Sequence, residues 1–354
     1  MLIDSYNIVA IMSGTSLDGI DIIHLNFKYN NGWEYTVIDS ETVSYTDDWN
    51  EVLRDLVHCN MDGLKAIDQN YTTYLATVIN KFIDKNNIKN IHAVCSHGHT
   101  ALHQPHKGIT YQIGNLPKLA SLIHQTVVCD FRVEDVALGG QGAPLVPIGD
   151  QLLFKDYTFC INLGGFANIS TENHQQRIAY DICPVNIVLN HYVKQLGFDY
   201  DDKGLIAASG DINTHLLEAL NALEFYAQVA PKSLGLEWVS KHIFPLIDRY
   251  DLAINVILKT FIEHVAIQIC KAINIKTTAS VLITGGGVYN TYLIQRIQAL
   301  TPHIITQPDD ETVEFKEAII FGLLGVLKLR NEINCLSSVT GASKNHSSGK
   351  IYII

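Results

Sequence analysis

The chain has 354 residues, 47% of them hydrophobic and 17% charged, with a formal net charge of −11. That length exceeds one ordinary core and suits two domains, and the composition excludes a disordered chain. The acid excess excludes nucleic acid or an anionic membrane as the main partner, since both select basic surfaces. A small anionic ligand stays open, because a few local donors hold it whatever the overall sign.

Seven cysteines (59, 95, 129, 160, 183, 270 and 335) are scattered without a Cys-x-x-Cys pair. Four lie in or beside apolar runs, which predicts buried, reduced thiols in a cytoplasmic protein. No apolar run approaches the ~20 residues a bilayer requires, and no leader is expected ahead of the first strand.

In chain order, "YNIVAIM" and "IDIIHLNF" predict two strands flanking the glycine turn in "IMSGTSLDGIDI", and "VIDSETVSY" continues the sheet. Helices are predicted over 48–59 and 64–86. A strand "IHAVCSHG" follows, then a loop, a short helix over 118–125 and the strand "TVVCDFR". The second half repeats the pattern. "TFCINLGGFANIST" is strand, double glycine, strand, and "IAYDICPVNIVLNHYVKQLG" enters a helix with Pro184 in its first turn. Helices fill 213–223 and the region 236–273. "SVLITGGGVYNTYLIQRIQAL" is strand, triple glycine, helix, and "VEFKEAIIFGLLGVLKLRN" is a last helix. The recurrence predicts two related α/β lobes around a cleft, an N-terminal lobe over 1–130 and a C-terminal lobe over 131–354 whose tail can return to the first.

Gly14 and Gly19 have the separation of a Walker A loop, but Ile20 stands where Lys is required and a strand follows instead of a helix. The dinucleotide fingerprint fails on spacing. What remains is either a plain hairpin or a nest of amides and hydroxyls for phosphate, formed by Gly14, Thr15, Ser16, Leu17, Asp18, Gly19, Ile20 and Asp21. In the second case Asp18 and Asp21 are candidates to hold Mg2+ through its waters. Gly164 and Gly165 make a second such turn. Gly285, Gly286 and Gly287 make a third, between a strand and a helix N-terminus where backbone can approach a nucleotide. Three turns spread over both halves favour a nucleotide in an interlobe cleft. The expected fold is the bilobal actin-like α/β ATPase class (acetate and sugar kinases, Hsp70, actin), with two mixed-sheet lobes.

"IMSGTSLDGID", "HGHT" with "QIGN", "DFRVEDVALGGQGAPLVP", "NLGGFANIS", "YDICPVN", "PKSLG", "ITGGGVYN" and "SVTGA" occur in the order seen in anhydro-N-acetylmuramic acid kinases. The chain resembles that family from Ile8 to about Gly349. The resemblance implies an enzyme of peptidoglycan recycling. It takes 1,6-anhydro-N-acetylmuramic acid, ATP and water, with Mg2+, and yields N-acetylmuramic acid 6-phosphate and ADP. It implies Asp181 as the base for water, the glycine turns as the ATP site, and Arg132 and Asp135 on the sugar side. Thr100, Gln112 and Glu317 match sugar-lining positions. A homodimer is expected on the same ground. The family usually has Thr, Gly and Gly where this chain has Ile182, Cys183 and Val185, so the turn after the base is altered, and Cys183 is read as packing.

Two other readings stand beside this one. "HGHTALHQPH" places His97, His99, His103 and His106 just after a strand, as in some metallohydrolases, although no Asp-His pair follows at their spacing. The altered turn also suits a catalytically silent nucleotide-binding relative.

Overall fold

The computed structural model describes residues 3–14 and 17–354; Thr15 and Ser16 of the first glycine turn lie outside the described residues. The chain forms two compact units, one of Met1–Leu153 with Phe315–Ile354 and the other of Phe154–Glu314. The division falls at 153/154 and not at the expected 130, and the chain's end belongs to the first unit. The physical reason is packing: Leu145 and Ile148 join the same buried cluster as Phe315, Ile319 and Leu323.

The first unit is built on strands β1 (Ser5–Ser13), β2 (Ile20–Tyr29), β3 (Trp33–Val43), β4 (Ala93–Gln104), β5 (Ile109–Ile113) and β6 (Val127–Cys129). The chain's last strand (Lys350–Tyr352) adds to the edge beyond β6. β1 is apolar almost throughout because both faces of its sheet are covered. Side chains alternate across a strand, so Ile8, Ala10 and Met12 enter the core shared with residues 315–327. Val9 and Ile11 enter the core shared with the helix Met61–Lys85. The loop expected after "HAVCSHG" is absent: β4 runs on through Gln104, turns through the short helix Pro105–Lys107, and pairs antiparallel with β5.

The second unit carries β7 (Phe159–Leu163), β8 (Phe166–Asn173), β9 (Gln176–Pro184), β10 (Ser280–Thr284) and β11 (Ile304–Thr306), packed on the helix Ile254–Ile273. The two sheets share one plan. With β5, which pairs only with β4, set aside, their orders are β3-β2-β1-β4-β6 and β9-β8-β7-β10-β11: third, second, first, fourth, fifth. In each, the first three strands are antiparallel. The fourth and fifth run parallel to the first.

Candidate active site

The first glycine turn joins β1 to β2, with Ser13 opposite Ile20 in the antiparallel register. Gly19 is required there: a Cβ on it (φ +147°) would stand 2.7 Å from the Val43 carbonyl oxygen. Leu17 takes a positive φ of 63° and donates its N–H to the Gly14 carbonyl at 3.4 Å. Asp18 is exposed, whereas Asp21 is half-buried and accepts a hydrogen bond from Thr42 Oγ1 at 2.6 Å. Ile20 is buried in the core below the turn. At the root of the turn, Ser13 Oγ lies 2.8 Å from His99 Nδ1 and 2.5 Å from the Tyr45 hydroxyl, and Tyr71 donates to it at 3.1 Å. Burial holds the His99 pKa down at about 4 and raises that of Tyr45 to about 12, so this network is neutral and fixes where β1 ends.

Arg132 is positioned by β4. Its Nε donates to His97 Nε2 at 2.9 Å and its Nη1 to the Gly142 carbonyl at 2.7 Å. His97 Nδ1 sits 2.7 Å from the Gly98 carbonyl, which only accepts, so Nδ1 carries the proton and Nε2 offers its lone pair to arginine. Burial and the neighbouring Arg132 charge lower the His97 pKa well below the usual value, which keeps it in that neutral form. Arg132 Nη2 makes no hydrogen bond to a described residue, so one edge of the fork is available to an anion. Glu317 is reached by solvent, yet desolvation by the surrounding atoms raises its carboxyl pKa, and the Arg132 charge opposes that rise.

Thr100 and Gln112 face each other across β4 and β5. Gln112 Nε2 donates to Thr110 Oγ1 at 2.9 Å and approaches Thr100 Oγ1 at 3.5 Å, while its buried Oε1 has no partner. Asp135 departs from expectation. It is fully buried, and its oxygens accept from Gly142 N–H at 2.7 Å, Thr340 Oγ1 at 2.7 Å and Cys335 Sγ at 3.0 Å. A carboxylate so enclosed ties the 139–142 loop to the segment of Cys335 and Thr340.

In the second unit, Gly164 and Gly165 form the β7–β8 turn. Their carbonyls accept from Val185, Asn186 and Ile187 N–H at 2.8–3.3 Å, which occupies the first amides of the helix Asn186–Val193. The triple glycine does not open a helix directly. Gly286–Tyr289 is a 3-10 turn, and the helix Thr291–Leu300 is already capped by Asn290 Oδ1, which accepts from Leu293 N–H at 3.0 Å. A Cβ at Gly285 would lie 2.5 Å from Asn162 Oδ1, and one at Gly287 2.7 Å from Leu163 Cβ, whereas Gly286 faces open space. The glycines thus let this turn sit on the end of β7.

Asp181 lies inside strand β9, five residues before the helix at Asn186, and not at a helix mouth. Pro184 ends the strand. The cause is pairing: β8 holds β9 from Gln176 to Pro184, with Asn168 opposite Asp181. The Asp181 N–H donates to the Lys232 carbonyl at 2.9 Å, and Oδ2 accepts from Leu234 N–H at 2.8 Å. Oδ1 makes no hydrogen bond to a described residue. Burial raises the carboxyl pKa, and the Leu234 amide opposes that rise. A half-buried carboxylate with one oxygen held and the other open is suited to accepting a proton. Ile182, Cys183 and Val185, the altered residues, are buried in the core of this unit.

The four histidines of "HGHTALHQPH" do not gather round one point. His97 serves Arg132, His99 serves Ser13, His103 Nδ1 is 3.0 Å from Thr110 Oγ1, and His106 is exposed in the turn before β5. His97 as the holder of Arg132, and Leu234 as the holder of Asp181, are roles that local spacing does not announce. The "PKSLG" match was the only signal for the second.

A sheet order of third, second, first, fourth, fifth, occurring twice in one chain with a glycine hairpin after each first strand, defines the actin-like ATPase and sugar-kinase class. Within that class, the sequence model of "Anhydro-N-acetylmuramic acid kinase" matches residues 6–354. The chain belongs to the anhydro-N-acetylmuramic acid kinase family. Relatives of that name from Pseudomonas syringae pv. syringae and Pasteurella multocida are 32% and 33% identical; each match covers 97% of this chain, and 98% and 96% of those proteins. Solved structures with likeness include (R)-2-hydroxyglutaryl-CoA dehydratase component A of Acidaminococcus fermentans, at 12% identity over 92% of this chain and 99% of that one, TM-score 0.49. A ROK family glucokinase from Streptomyces griseus aligns at 10% identity over 90% and 99%, TM-score 0.41. Among the described residues no helix is long and apolar enough to cross a membrane.

Proposed function

We propose that this chain catalyses the reaction its family is named for, in which 1,6-anhydro-N-acetylmuramic acid, ATP and water give N-acetylmuramic acid 6-phosphate and ADP. The observation that carries the chemistry is Asp181, one oxygen held by Leu234 N–H and the other open, with a pKa raised by burial. In this reading Asp181 Oδ1 takes a proton from water as the water oxygen bonds to C1. The C1–O6 bond breaks, and O6 attacks the γ-phosphorus of ATP, releasing ADP. Phosphoryl transfer needs positioning and charge neutralisation more than covalent help.

Arg132, aimed by His97, offers its open edge to the lactyl carboxylate or the transferring phosphoryl group. Gln112 Oε1, buried without a donor, is suited to a sugar hydroxyl or amide N–H, with Thr100 beside it. Glu317 completes the sugar side next to Arg132, and Asp135 acts as a positioning residue. The turn from Gly14 to Asp21, and the turns at Gly164–165 and Gly285–287, would contact ATP. Asp21, half-buried and already held by Thr42, and exposed Asp18 fit a hydrated Mg2+, which keeps several waters and takes few carboxylates. When bound, the ion neutralises charge on the β- and γ-phosphates. A reducing, cytoplasmic setting is supported by seven scattered cysteines, six of them buried. The homodimer rests on the family resemblance, and light scattering of the purified protein tests it.

The test is incubation with the anhydro sugar, ATP and Mg2+, followed by mass spectrometry. A reducing sugar 6-phosphate formed in step with ADP is expected. Folded protein that binds ATP but yields no such product would overturn the proposal in favour of a silent relative.

A further inference from the structure

Cys335 and His346 are directly opposed in an isolated antiparallel bridge in the first unit. Their amides and carbonyls pair at 3.1 and 3.2 Å, which sets the two side chains next to each other. Both turn toward Asp135: Sγ lies 3.0 Å and Nε2 3.6 Å from Oδ1. The three donor atoms all lie within 4.8 Å of one another, and all three residues are buried.

The tautomer of His346 makes this cluster more than a packing accident. Nδ1 is 3.0 Å from the Lys344 carbonyl, which only accepts, so Nδ1 carries the proton. Nε2 of the neutral ring is then a bare lone pair. It is buried without a hydrogen-bond partner and faces a carboxylate oxygen across 3.6 Å. Two acceptors turned on each other in a dry site repel unless a cation stands between them. The third group is a thiol, whose thiolate form is a strong ligand for soft and borderline metals.

We propose that Asp135, Cys335 and His346 form a site for Zn2+ that clips the C-terminal segment to the 139–142 loop. Carboxylate, thiolate and imidazole nitrogen are a zinc donor set, and a water would complete the tetrahedron. The 3.6 Å Oδ1–Nε2 separation lies within the roughly 3.3–3.7 Å edges implied by zinc bonds of about 2.0–2.3 Å, and the 3.0 Å Oδ1–Sγ separation would open by a few tenths of an ångström. Binding replaces the Cys335 S–H proton, which leaves to solvent, so two anionic ligands and one neutral ligand balance the ion's two charges. Because binding displaces that proton, occupancy should rise with pH. Gly142 N–H and Thr340 Oγ1, each 2.7 Å from the carboxylate, would hold it in place from behind the metal. The Gly142 carbonyl also holds Arg132, so the clip would steady a residue of the proposed sugar side.

The full chain, purified and exposed to excess Zn2+ and then desalted, should retain about one zinc per chain by mass spectrometry. Replacing zinc with Co2+ should give a thiolate charge-transfer band and tetrahedral d–d bands, lost in C335S and in H346Q. X-ray absorption of the zinc-loaded wild type should show one sulfur among N/O neighbours. A chelator should lower the Tm of the wild type and leave that of C335S unchanged. Three results would each overturn the proposal: no retained zinc, an all-N/O shell, or cobalt bands that survive both substitutions. A proton on His346 Nε2, paired with Asp135, would then be the cation. The absorption measurement needs only wild-type protein, so it decides even where a variant does not fold.

Discussion

The third strands of the two sheets occupy the same place in the same order, yet they end in opposite ways. β3 ends by closing on its neighbour: the Val43 carbonyl crowds Gly19, and Thr42 holds Asp21. β9 ends by staying open: Asp181 has its amide and one oxygen taken by the 232–234 segment, and its other oxygen has no partner among the described residues. A repeated sheet therefore supplies repeated hairpins, while segments outside the shared plan hold the candidate reactive groups in place. In the first unit these are the β4–β5 hairpin and the 130–142 stretch, and in the second the "PKSLG" segment. On the proposed function, the contrast puts chemistry on β9 and geometry on β3.

The largest expected effect follows from this assignment. Asp181→Asn keeps an acceptor for Leu234 N–H but removes the base, and should lower kcat by about 10²–10⁴-fold. Nucleotide affinity by calorimetry should be unchanged. Because burial raises the Asp181 pKa, the acid limb of kcat/KM should lie above the ordinary aspartate value of about 3.9 and vanish in the variant. Near-normal turnover in Asp181→Asn would erase the distinction between the two strand ends.

Next in size is Arg132→Lys. It keeps the charge but loses the fork that His97 and Gly142 hold, and steady-state kinetics should show kcat/KM down by about 10²-fold. His97→Gln should cost less and act through the same arginine, so the double variant should be little worse than Arg132→Lys alone. Additive losses would mean that His97 has a separate role. Smaller again is Gly19→Ala, where the Val43 carbonyl leaves no room for the new methyl group. A destabilisation of about 1–3 kcal/mol by chemical denaturation, with a raised KM for ATP, is expected.

Much of this was legible in the sequence, and the failures have physical causes. Strands buried on both faces are apolar runs bounded by glycines, so β1, β2, β7 and β10 could be read directly. "IAYDICPVN" reads as the entry to a helix because Pro184 resembles a first-turn proline; only pairing with β8 reveals a strand through Pro184. Asp135 resembled a sugar ligand, and what buries it lies 200 or more residues later, at Cys335, Thr340 and His346. The division of the chain falls later than residue 130 for the same reason, since the helix Asp310–Leu329, whose residues pack with Leu145 and Ile148, comes at the far end of the chain. His97 looked like a metal ligand because a local motif cannot show that its partner is Arg132.

The smallest expected effect separates the units by acid sensitivity. Burial lowers the pKa of His97 and of His99 in the first unit, and lowers that of His264 in the second to about 3. His264 Nδ1 and Nε2 lie 2.9 Å from Asn221 Oδ1 and the Tyr226 hydroxyl. A histidine whose folded pKa lies below its unfolded value of about 6.5 stabilises the fold above that pH. The stabilisation is lost as pH falls, because the unfolded chain takes the proton first. One pH unit below 6.5, each such histidine costs about 1.4 kcal/mol. The raised carboxyls Asp68 and Glu317 in the first unit and Asp181 in the second act with the opposite sign, from a lower starting range. Between pH 7.5 and 5.5, hydrogen exchange corrected for intrinsic rates should therefore show protection in β4 and β1 falling about 1.4 kcal/mol further than in the helix Ile254–Ile273. Equal losses in both units would mean that one of the β4 histidines is already charged at neutral pH. His97 is then excluded as the neutral acceptor that aims Arg132, or His99 as the neutral partner of Ser13.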